Sequence, residues 1–351
     1  MTAPRHPASP PESGRPDEAP TGPTGETVAE RFSVVIPLYN KRDYVLRAVA
    51  SVLAQDGRPD EIIVLDDGSV DGGADAVRET YPTVRVIRQD NAGEGPARNA
   101  GTEAATSPWV AYLDADDFWL PGHLTELRAL VAEFPQVGLA ATQHVEWVEG
   151  APLVVPEGGH ERHLIDYFAT ASRRIGVVWS STVVVRRDAL LAMGGFGTAL
   201  MGADLECWAA MALHHPVAIS ERITVVYVRG AGGVTEVEAA RRRTGDPAQR
   251  RPIPGSVSEL SPSAVVVTRA LETGDHAVER ASLERYLNSR LASAIRSNFV
   301  EGRYDALKPL RDLQLDHPGP ETRRPFWLAS VPVPVLRLAG WTRRRLIARL
   351  R

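Results

Sequence analysis

The stretch Trp109-Val-Ala-Tyr-Leu-Asp-Ala-Asp-Asp117 runs five apolar residues straight into an acidic turn. An unbroken apolar run of this length reads as a strand buried on both faces. Working outward, the same pattern recurs. Phe32-Ser-Val-Val-Ile-Pro37 leads to Tyr39-Asn40, Glu61-Ile-Ile-Val-Leu65 leads to Asp66-Asp67-Gly68-Ser69, and Val84-Arg-Val-Ile87 leads toward a polar stretch from Asn91 to Gly95. Helical spacings separate these runs. Residues 42–55 place Tyr44, Val45, Ala48, Val49, Val52 and Leu53 on one apolar stripe, residues 71–80 and 97–105 read as helices, and Pro121 opens another that reaches Glu133. Strands alternating with helices predict an α/β fold of right-handed βαβ units with a mostly parallel central sheet. Ligands of such sheets bind beyond the carboxyl ends of the strands, and each polar cluster falls at such an end.

Further along, 137–148, 177–185 and 223–228 read as strands and 203–213 as a helix. Residues 236–262 are rich in Arg, Pro, Gly and Ser, the composition of a linker or mobile loop. From Pro262 to about residue 311 the pattern is helical. The first 31 residues, crowded with Pro, Gly, Glu and Thr, lack the apolar surface to offset ordering entropy and are expected to be disordered. They hold no apolar h-region, and no run of about eighteen apolar residues occurs anywhere, so neither a secretory leader nor a membrane-spanning helix is expected. The 351 residues, 43% hydrophobic and 24% charged, suit about two globular domains. A net charge of −4 supplies no basic field for nucleic acid, and the single cysteine, Cys207, permits no intrachain disulfide. A cytoplasmic location follows as the expectation.

The acidic turn carries the chemistry. Asp114, Asp116 and Asp117 repel one another unless a cation lies between them, and their hard oxygens suit Mg²⁺ or Mn²⁺. A solvated helix-capping turn is the alternative, which the position at a strand's carboxyl end disfavours. Asp66 and Asp67 can accept hydrogen bonds from a base or a ribose, or can simply shape a turn. Asn91-Ala-Gly-Glu-Gly-Pro-Ala-Arg-Asn99 resembles a dinucleotide fingerprint, but Arg98 occupies the third glycine position. That arginine suits a phosphate, or a helix surface. Asp204, ahead of an apolar helix, is a candidate general base or a carboxylate stabilised by the helix dipole. His214 and His215 suit that helix's C-terminus, and Cys207 its core. No His-Glu-x-x-His, Cys-x-x-Cys or Gly-x-Ser-x-Gly is present, which weighs against zinc and serine-hydrolase chemistry.

Taken together, four blocks in order resemble the family 2 glycosyltransferases of the GT-A fold, over about Phe32 to Gly233. They are Ser33-Val-Val-Ile-Pro-Leu-Tyr-Asn40, Glu61-Ile-Ile-Val-Leu-Asp-Asp-Gly-Ser-Val-Asp-Gly72, Asn91-Ala-Gly with Ala97-Arg-Asn-Ala-Gly101, and Leu113-Asp-Ala-Asp-Asp-Phe-Trp-Leu-Pro121. The resemblance implies a GT-A nucleotide-sugar-binding domain over 32–235, followed by the linker at 236–262 and a helical region over 263–351. It implies that Pro37 and Tyr39 contact the nucleobase, with Asp67 hydrogen-bonding it and Asp66 close by. Arg98 would lie near the diphosphate, Asp114 and Ala115 would face the ribose and donor sugar, and Asp116 would bind a divalent cation, Mn²⁺ or Mg²⁺. Asp204 would be the base of an inverting displacement. The family's usual Glu-Asp pair reads Ala203-Asp204 here, and Glu206 is a weaker substitute. Tyr227-Val-Arg229 resembles the close of the domain, with Arg229 reaching the diphosphate.

The implied donor is a nucleotide diphosphate sugar, UDP-linked in most of the family, and the acceptor a glycan, lipid-linked or small-molecule hydroxyl in cell-surface glycan biosynthesis. Residues 145–180 and 236–262 are expected to shape the acceptor pocket. A catalytically silent nucleotide-sugar-binding module is the alternative that Ala203 keeps open. A nucleotidyltransferase would carry a Gly-rich loop near the first strand, and Val34-Val-Ile-Pro-Leu-Tyr39 has none. The C-terminal tail from Phe326 carries Arg337, Arg343, Arg344, Arg345, Arg349 and Arg351 among apolar residues and no acid. It suits either a helix packed on the domain or a peripheral contact with the anionic inner membrane face.

Overall fold

Alternate side chains of β1 (Phe32–Leu38) serve two cores: Val34, Ile36 and Leu38 enter one, Val35 the other. A strand covered on both faces needs apolar residues on both, which is why its run is nearly unbroken. A computed structural model of the protein describes residues 31–174, 176–231, 260–301, 303–313, 316 and 323–330. In it, α1 (Arg42–Leu53), β2 (Glu61–Asp66), α2 (Gly73–Thr80), β3 (Arg85–Arg88), α3 (Glu94–Ala104) and β4 (Trp109–Tyr112) follow β1 in strict alternation. β2 and β4 flank β1 in parallel, and β3 adds to β2. The close approach of α3 to β1 rests on Gly101, where a Cβ would come within 2.4 Å of Val35.

The second half holds β5 (Phe118–Trp119), α4 (His123–Glu133), β6 (Leu139–Val148), β7 (Arg162–Ile165), α5 (Tyr167–Arg173), β8 (Val183–Arg186), α6 (Arg187–Ala192), α7 (Ala203–His214) and β9 (Val217–Arg229). The sheet runs β3-β2-β1-β4-β8-β6-β9-β5, with β7 also on β9. Six strands (β1, β2, β3, β4, β6 and β9) point one way, and β5, β7 and β8 oppose them. The mostly parallel α/β sheet expected from the sequence is therefore present. Helices α8 (Pro262–Thr273), α9 (Arg280–Glu301), α10 (Leu307–Asp312) and α11 (Arg323–Ser330) form the C-terminal helical region. Val267, Leu283, Leu287, Leu291 and Ile295 of this region join the same core as Phe168, Cys207 and Trp208. No helix among the described residues is long and apolar enough to cross a membrane. The tail expected to be disordered, most of the 236–262 linker and the basic segment from residue 331 lie outside the described residues.

Two departures from the sequence reading have local causes. Residues 177–185 do not form one strand: Trp179 N–H donates to Thr182 Oγ1 (3.2 Å), and Ser180–Thr182 turn once as a 3₁₀-helix before β8 begins. Ser and Thr side chains compete in this way with strand pairing. α5, unread in the sequence, is started by Asp166, whose Oδ1 accepts from Ala169 N–H at 2.9 Å.

Glu126 ties the far half together. Its buried carboxylate on α4 accepts from Arg162 Nε (2.7 Å) on β7, and from Ser220 Oγ (2.7 Å) and Arg222 Nη1 (3.0 Å) on β9. Burial works to raise its pKa, but the bonds from Arg162, Ser220 and Arg222 outweigh burial and hold it down at about 2. Its folded value lies below the ordinary 4.5, so the stability it contributes is complete above that pH and is lost as pH falls toward about 2. Glu126→Gln should lower unfolding free energy by about 3 kcal/mol at neutral pH, read by urea denaturation, with the gap to wild type closing in acid. A gap that stays constant down to pH 3 would refute this account.

Candidate active site

The carboxyl edge of the sheet is lashed together before any catalytic group is placed. Asp67 N–H donates to Leu38 O (2.8 Å), Asn40 N–H to Ser69 Oγ (3.1 Å), and Val70 N–H to Asn40 Oδ1 (2.9 Å). Asn40 takes the left-handed conformation, φ +50°, that lets the chain turn so sharply after β1. Pro37 is half-buried in β1, and Tyr39 beyond it is half exposed. Asp66 is fully buried, accepting from Ser69 N–H at 2.8 Å with Arg88 Nε 3.6 Å away. Asp67 accepts from Gln89 Nε2 (2.7 Å), Ala92 N–H (2.9 Å) and Gly93 N–H (2.9 Å). Its carboxylate therefore fixes the loop after β3 and retains lone-pair capacity for one more donor.

At the acidic turn the carboxylates part company. Asp114 Oδ1 accepts from Arg98 Nη2 at 2.7 Å, and the same nitrogen lies 2.5 Å from Glu94 Oε1. Asp116 Oδ2 pairs with Lys41 Nζ at 2.9 Å, and Lys41 also donates to Ala231 O. Asp117 turns into the core, where Oδ2 accepts from Ser181 Oγ (2.6 Å) and Oδ1 from Val228 N–H (2.9 Å). Each of the three carboxylates thus has its own partner within the protein. Arg98, Lys41 and the Ser181–Val228 pair hold them one by one, and Asp117 ties the turn to β9, but burial and their mutual charge still raise the carboxyl pKa values of Asp114 and Asp117. Ala115 is buried between them. Burial pushes the Asp114 carboxyl up to about 6, with Arg98 opposing and Glu94 and Asp116 adding to the shift.

Asp204 lies in the first turn of α7, two residues after its left-handed cap Gly202 (φ +81°). Burial raises its pKa; Arg98 and the N–H groups of Leu205 and Asp204 pull the other way, and Asp114 adds to the rise. Arg98 is thus electrostatically linked to Glu94, Asp114 and Asp204 at once. It is 2% exposed beneath the acidic turn, its guanidinium 5.5 Å from the Phe196 ring centroid. Ala203 is buried and contributes packing in place of a carboxylate. Glu206 presses on the Gly197 backbone, where a Cβ would meet its Oε2 at 2.3 Å. Arg229 is half exposed and pairs with Glu146, Nε to Oε2 at 3.0 Å.

Sequence reasoning overlooked Lys41, Glu94 and the ring pair His144 and Trp179. Lys41 had a signal, since it directly follows the Tyr39-Asn40 turn. Trp179 had none, being read as mid-strand. Among the described residues, Glu161 just before β7, His163 on β7 and Glu221 on β9 also converge, with ligand atoms within 4.8 Å of one another, away from the acidic turn.

A doubly covered, mostly parallel sheet with carboxylates spaced along its carboxyl edge is the GT-A class of α/β fold. The profile of Glycosyl transferase family 2 matches residues 33–175. The Amylovoran biosynthesis glycosyltransferase AmsE of Erwinia amylovora is 30% identical over 194 residues, 53% of this chain and 72% of that protein. The chain belongs to glycosyltransferase family 2. The uncharacterized glycosyltransferase alr2836 of Nostoc sp. is 34% identical over 169 residues, 46% of this chain, and the match spans 52% of alr2836. For the Succinoglycan biosynthesis protein ExoW of Rhizobium meliloti the values are 44% over 111 residues, 30% of this chain and 35% of ExoW. The chain thus spans about half the length of alr2836 and about a third of ExoW. In three dimensions it is similar to S. aureus TarS 1-349 in complex with UDP-GlcNAc, with a TM-score of 0.62 at 16% identity, covering 90% of this chain and 92% of that one. At that identity the likeness is one of fold.

Because Arg98 is buried against carboxylates, removing its charge leaves them uncompensated. Arg98→Met should cost about 3–5 kcal/mol of stability by chemical denaturation. A loss below about 1 kcal/mol would mean that the guanidinium does not hold the site together.

Proposed function

We propose that the protein transfers a sugar from a UDP-linked donor to an acceptor hydroxyl, with inversion at the anomeric carbon. The observation that carries this reading is the linkage of Asp204, Arg98 and Asp114 beside Asp116 on one edge of the sheet. Tyr39 stacks on the base, with Pro37, Asp66 and Asp67 beneath it; Asp114 and Ala115 face the ribose and sugar. Asp204 accepts the proton of the acceptor hydroxyl as that oxygen bonds to the anomeric carbon and the bond to the diphosphate breaks. Burial of Asp204 favours this role, since a carboxylate short of solvent binds a proton more tightly. Lys41, which pairs with Asp116, and Arg229 are assigned to the phosphates, with Arg98 positioning Asp114. Asp116 is partly exposed, offers a hard oxygen and already faces a cation, Lys41, so it suits Mn²⁺ or Mg²⁺, ions held by one or two carboxylates plus phosphate oxygens. Such an ion would offset charge on the leaving diphosphate.

UDP-GlcNAc in TarS and the polysaccharide names of AmsE and ExoW support a UDP donor and a growing glycan as acceptor. The second reading, a nucleotide-sugar-binding module without turnover, draws on the buried Ala203. Slow hydrolysis of UDP-sugars by the wild type separates the two, since a silent module would release no free sugar.

Two substitutions test the assignment. Asp204→Asn should lower kcat by about 10²–10⁴-fold while the thermal shift caused by UDP-sugar persists; full activity would remove Asp204 as base. Asp116→Ala should abolish the extra stabilisation that Mn²⁺ adds to UDP binding, and an unchanged Mn²⁺-dependent shift would move the metal elsewhere.

A further inference from the structure

Beyond the acidic turn, three rings meet at the same edge of the sheet. His144 on β6 and Trp179 before β8 have centroids 4.6 Å apart, Trp179 and Tyr227 on β9 5.2 Å, and His144 and Tyr227 6.2 Å. All are partly exposed rather than sealed in a core. The N–H of Val228, next to Tyr227, donates to Asp117 Oδ1 at 2.9 Å, so this strand end borders the acidic turn, and burial together with the charges of Asp117, Asp116 and Asp114 pushes the Tyr227 hydroxyl up to about 12. Burial and Arg174 lower the pKa of His144 against the pull of Glu146, leaving its imidazole uncharged at neutral pH. The rings therefore present a largely apolar face, with the half-exposed Glu146 carboxylate beside it.

The platform is held in place by the backbone. Trp179 Nε1 donates to Gly176 O at 2.8 Å. Gly176 has φ +73°, and a Cβ there would meet indole atoms at 2.6–2.9 Å. Only glycine lets this loop lie flat against the indole, which fixes the ring's tilt. Ser181, two residues on, donates to Asp117 and meets the Asp114 N–H at 3.1 Å. One short segment therefore carries both the indole and a strut of the acidic turn.

Position along the edge says what the rings serve. The strand order places the ends of β2 and β1 first, then β4 with the acidic turn, then β8, β6 and β9 with the rings. At about 4.8 Å per strand, the strand that follows Trp179 and those carrying His144 and Tyr227 lie about 10, 14 and 19 Å beyond β1. A nucleotide at β1 and β2 with its diphosphate at β4 leaves the aromatic group on the far side of the reacting centre. Aromatic faces pack against the C–H face of a pyranose, while a neighbouring carboxylate such as Glu146 accepts from its hydroxyls.

We propose that Trp179, Tyr227 and His144 form an acceptor subsite that stacks a hexopyranose ring of a saccharide. This rests on the transferase reading given above for its placement, but the binding itself is measured without turnover. The experiment is saturation-transfer NMR on the full chain with glucose, galactose, N-acetylglucosamine and their β-linked disaccharides, in UDP and Mn²⁺. At least one saccharide should receive saturation, strongest on the ring C–H protons of one face. Trp179→Ala should weaken that binding about tenfold, Trp179→Phe should restore most of it, and Gly176→Ala, which keeps the indole but displaces it, should weaken it too. Trp327→Ala, an exposed ring elsewhere, should leave it unchanged. Equal binding by wild type and Trp179→Ala overturns the subsite, as does a wild type that binds none of the saccharides. UDP titrated into the wild type alone is read separately: saccharide binding through Trp179 without UDP binding keeps the platform and sinks the transferase reading.

Discussion

Carboxylates crowd the carboxyl edge of this sheet, and the buried guanidinium of Arg98 is what lets them do so. It bonds Glu94 and Asp114 and exerts an attractive field on Asp204. An arginine at 2% exposure is a costly choice, since neither its charge nor theirs is solvated. The cost is offset only while every partner is present. That mutual dependence couples α3, which carries Arg98, to the turn after β4 and to the start of α7. The fold and the site are therefore not separable here. Gly101 brings α3 against β1, and that approach sets the depth at which Arg98 meets Asp114.

The sheet also acts as a ruler. Strand ends at a regular spacing fix the order in which chemical groups appear along one edge. The exposed Tyr39 and the Asp66–Asp67 turn come first, the acidic turn next, and the rings of Trp179, His144 and Tyr227 last. β8 makes this possible by running antiparallel between β4 and β6. Its amino end, not its carboxyl end, lies at the functional edge, so the Gly176–Thr182 segment can reach the acidic turn.

Legibility in the sequence followed burial. The strands β1, β2 and β4 and the helices between them are covered on both sides, so their residues are constrained to be apolar and the pattern is plain. β7, with Arg162 and His163, borders β9 as a polar edge strand, and two-residue β5 is too short to carry a period. The carboxylates Asp66, Asp67, Asp114, Asp116 and Asp204 were readable because acids at strand ends and helix starts stand out against apolar runs. What each one bonds was not readable. Asp117 is identical in type to Asp116 and one residue away, yet one faces Lys41 and the other the core, a choice made by Ser181 and Val228 far along the chain. Trp179 escaped notice because Val177 and Val183–Val185 around it suggest a strand, while Gly176 and the Thr182 hydroxyl impose a turn.

The charge balance at Asp204 links the static cluster to the proposed reaction. Burial and Asp114 raise its proton affinity, whereas Arg98 and two backbone N–H groups lower it, and the rise prevails. In the proposed transfer, a diphosphate near Asp114 would bring further negative charge to the same group of residues. Like charge disfavours the ionised carboxylate, so under the proposed reading whatever diphosphate charge the cation at Asp116 leaves uncompensated would push Asp204 further toward proton uptake, while Arg98 limits how far. In the proposed transfer the base then becomes strongest when the donor is in place, and an acceptor ring held on the far side of the acidic turn meets a carboxylate already poised to take its proton.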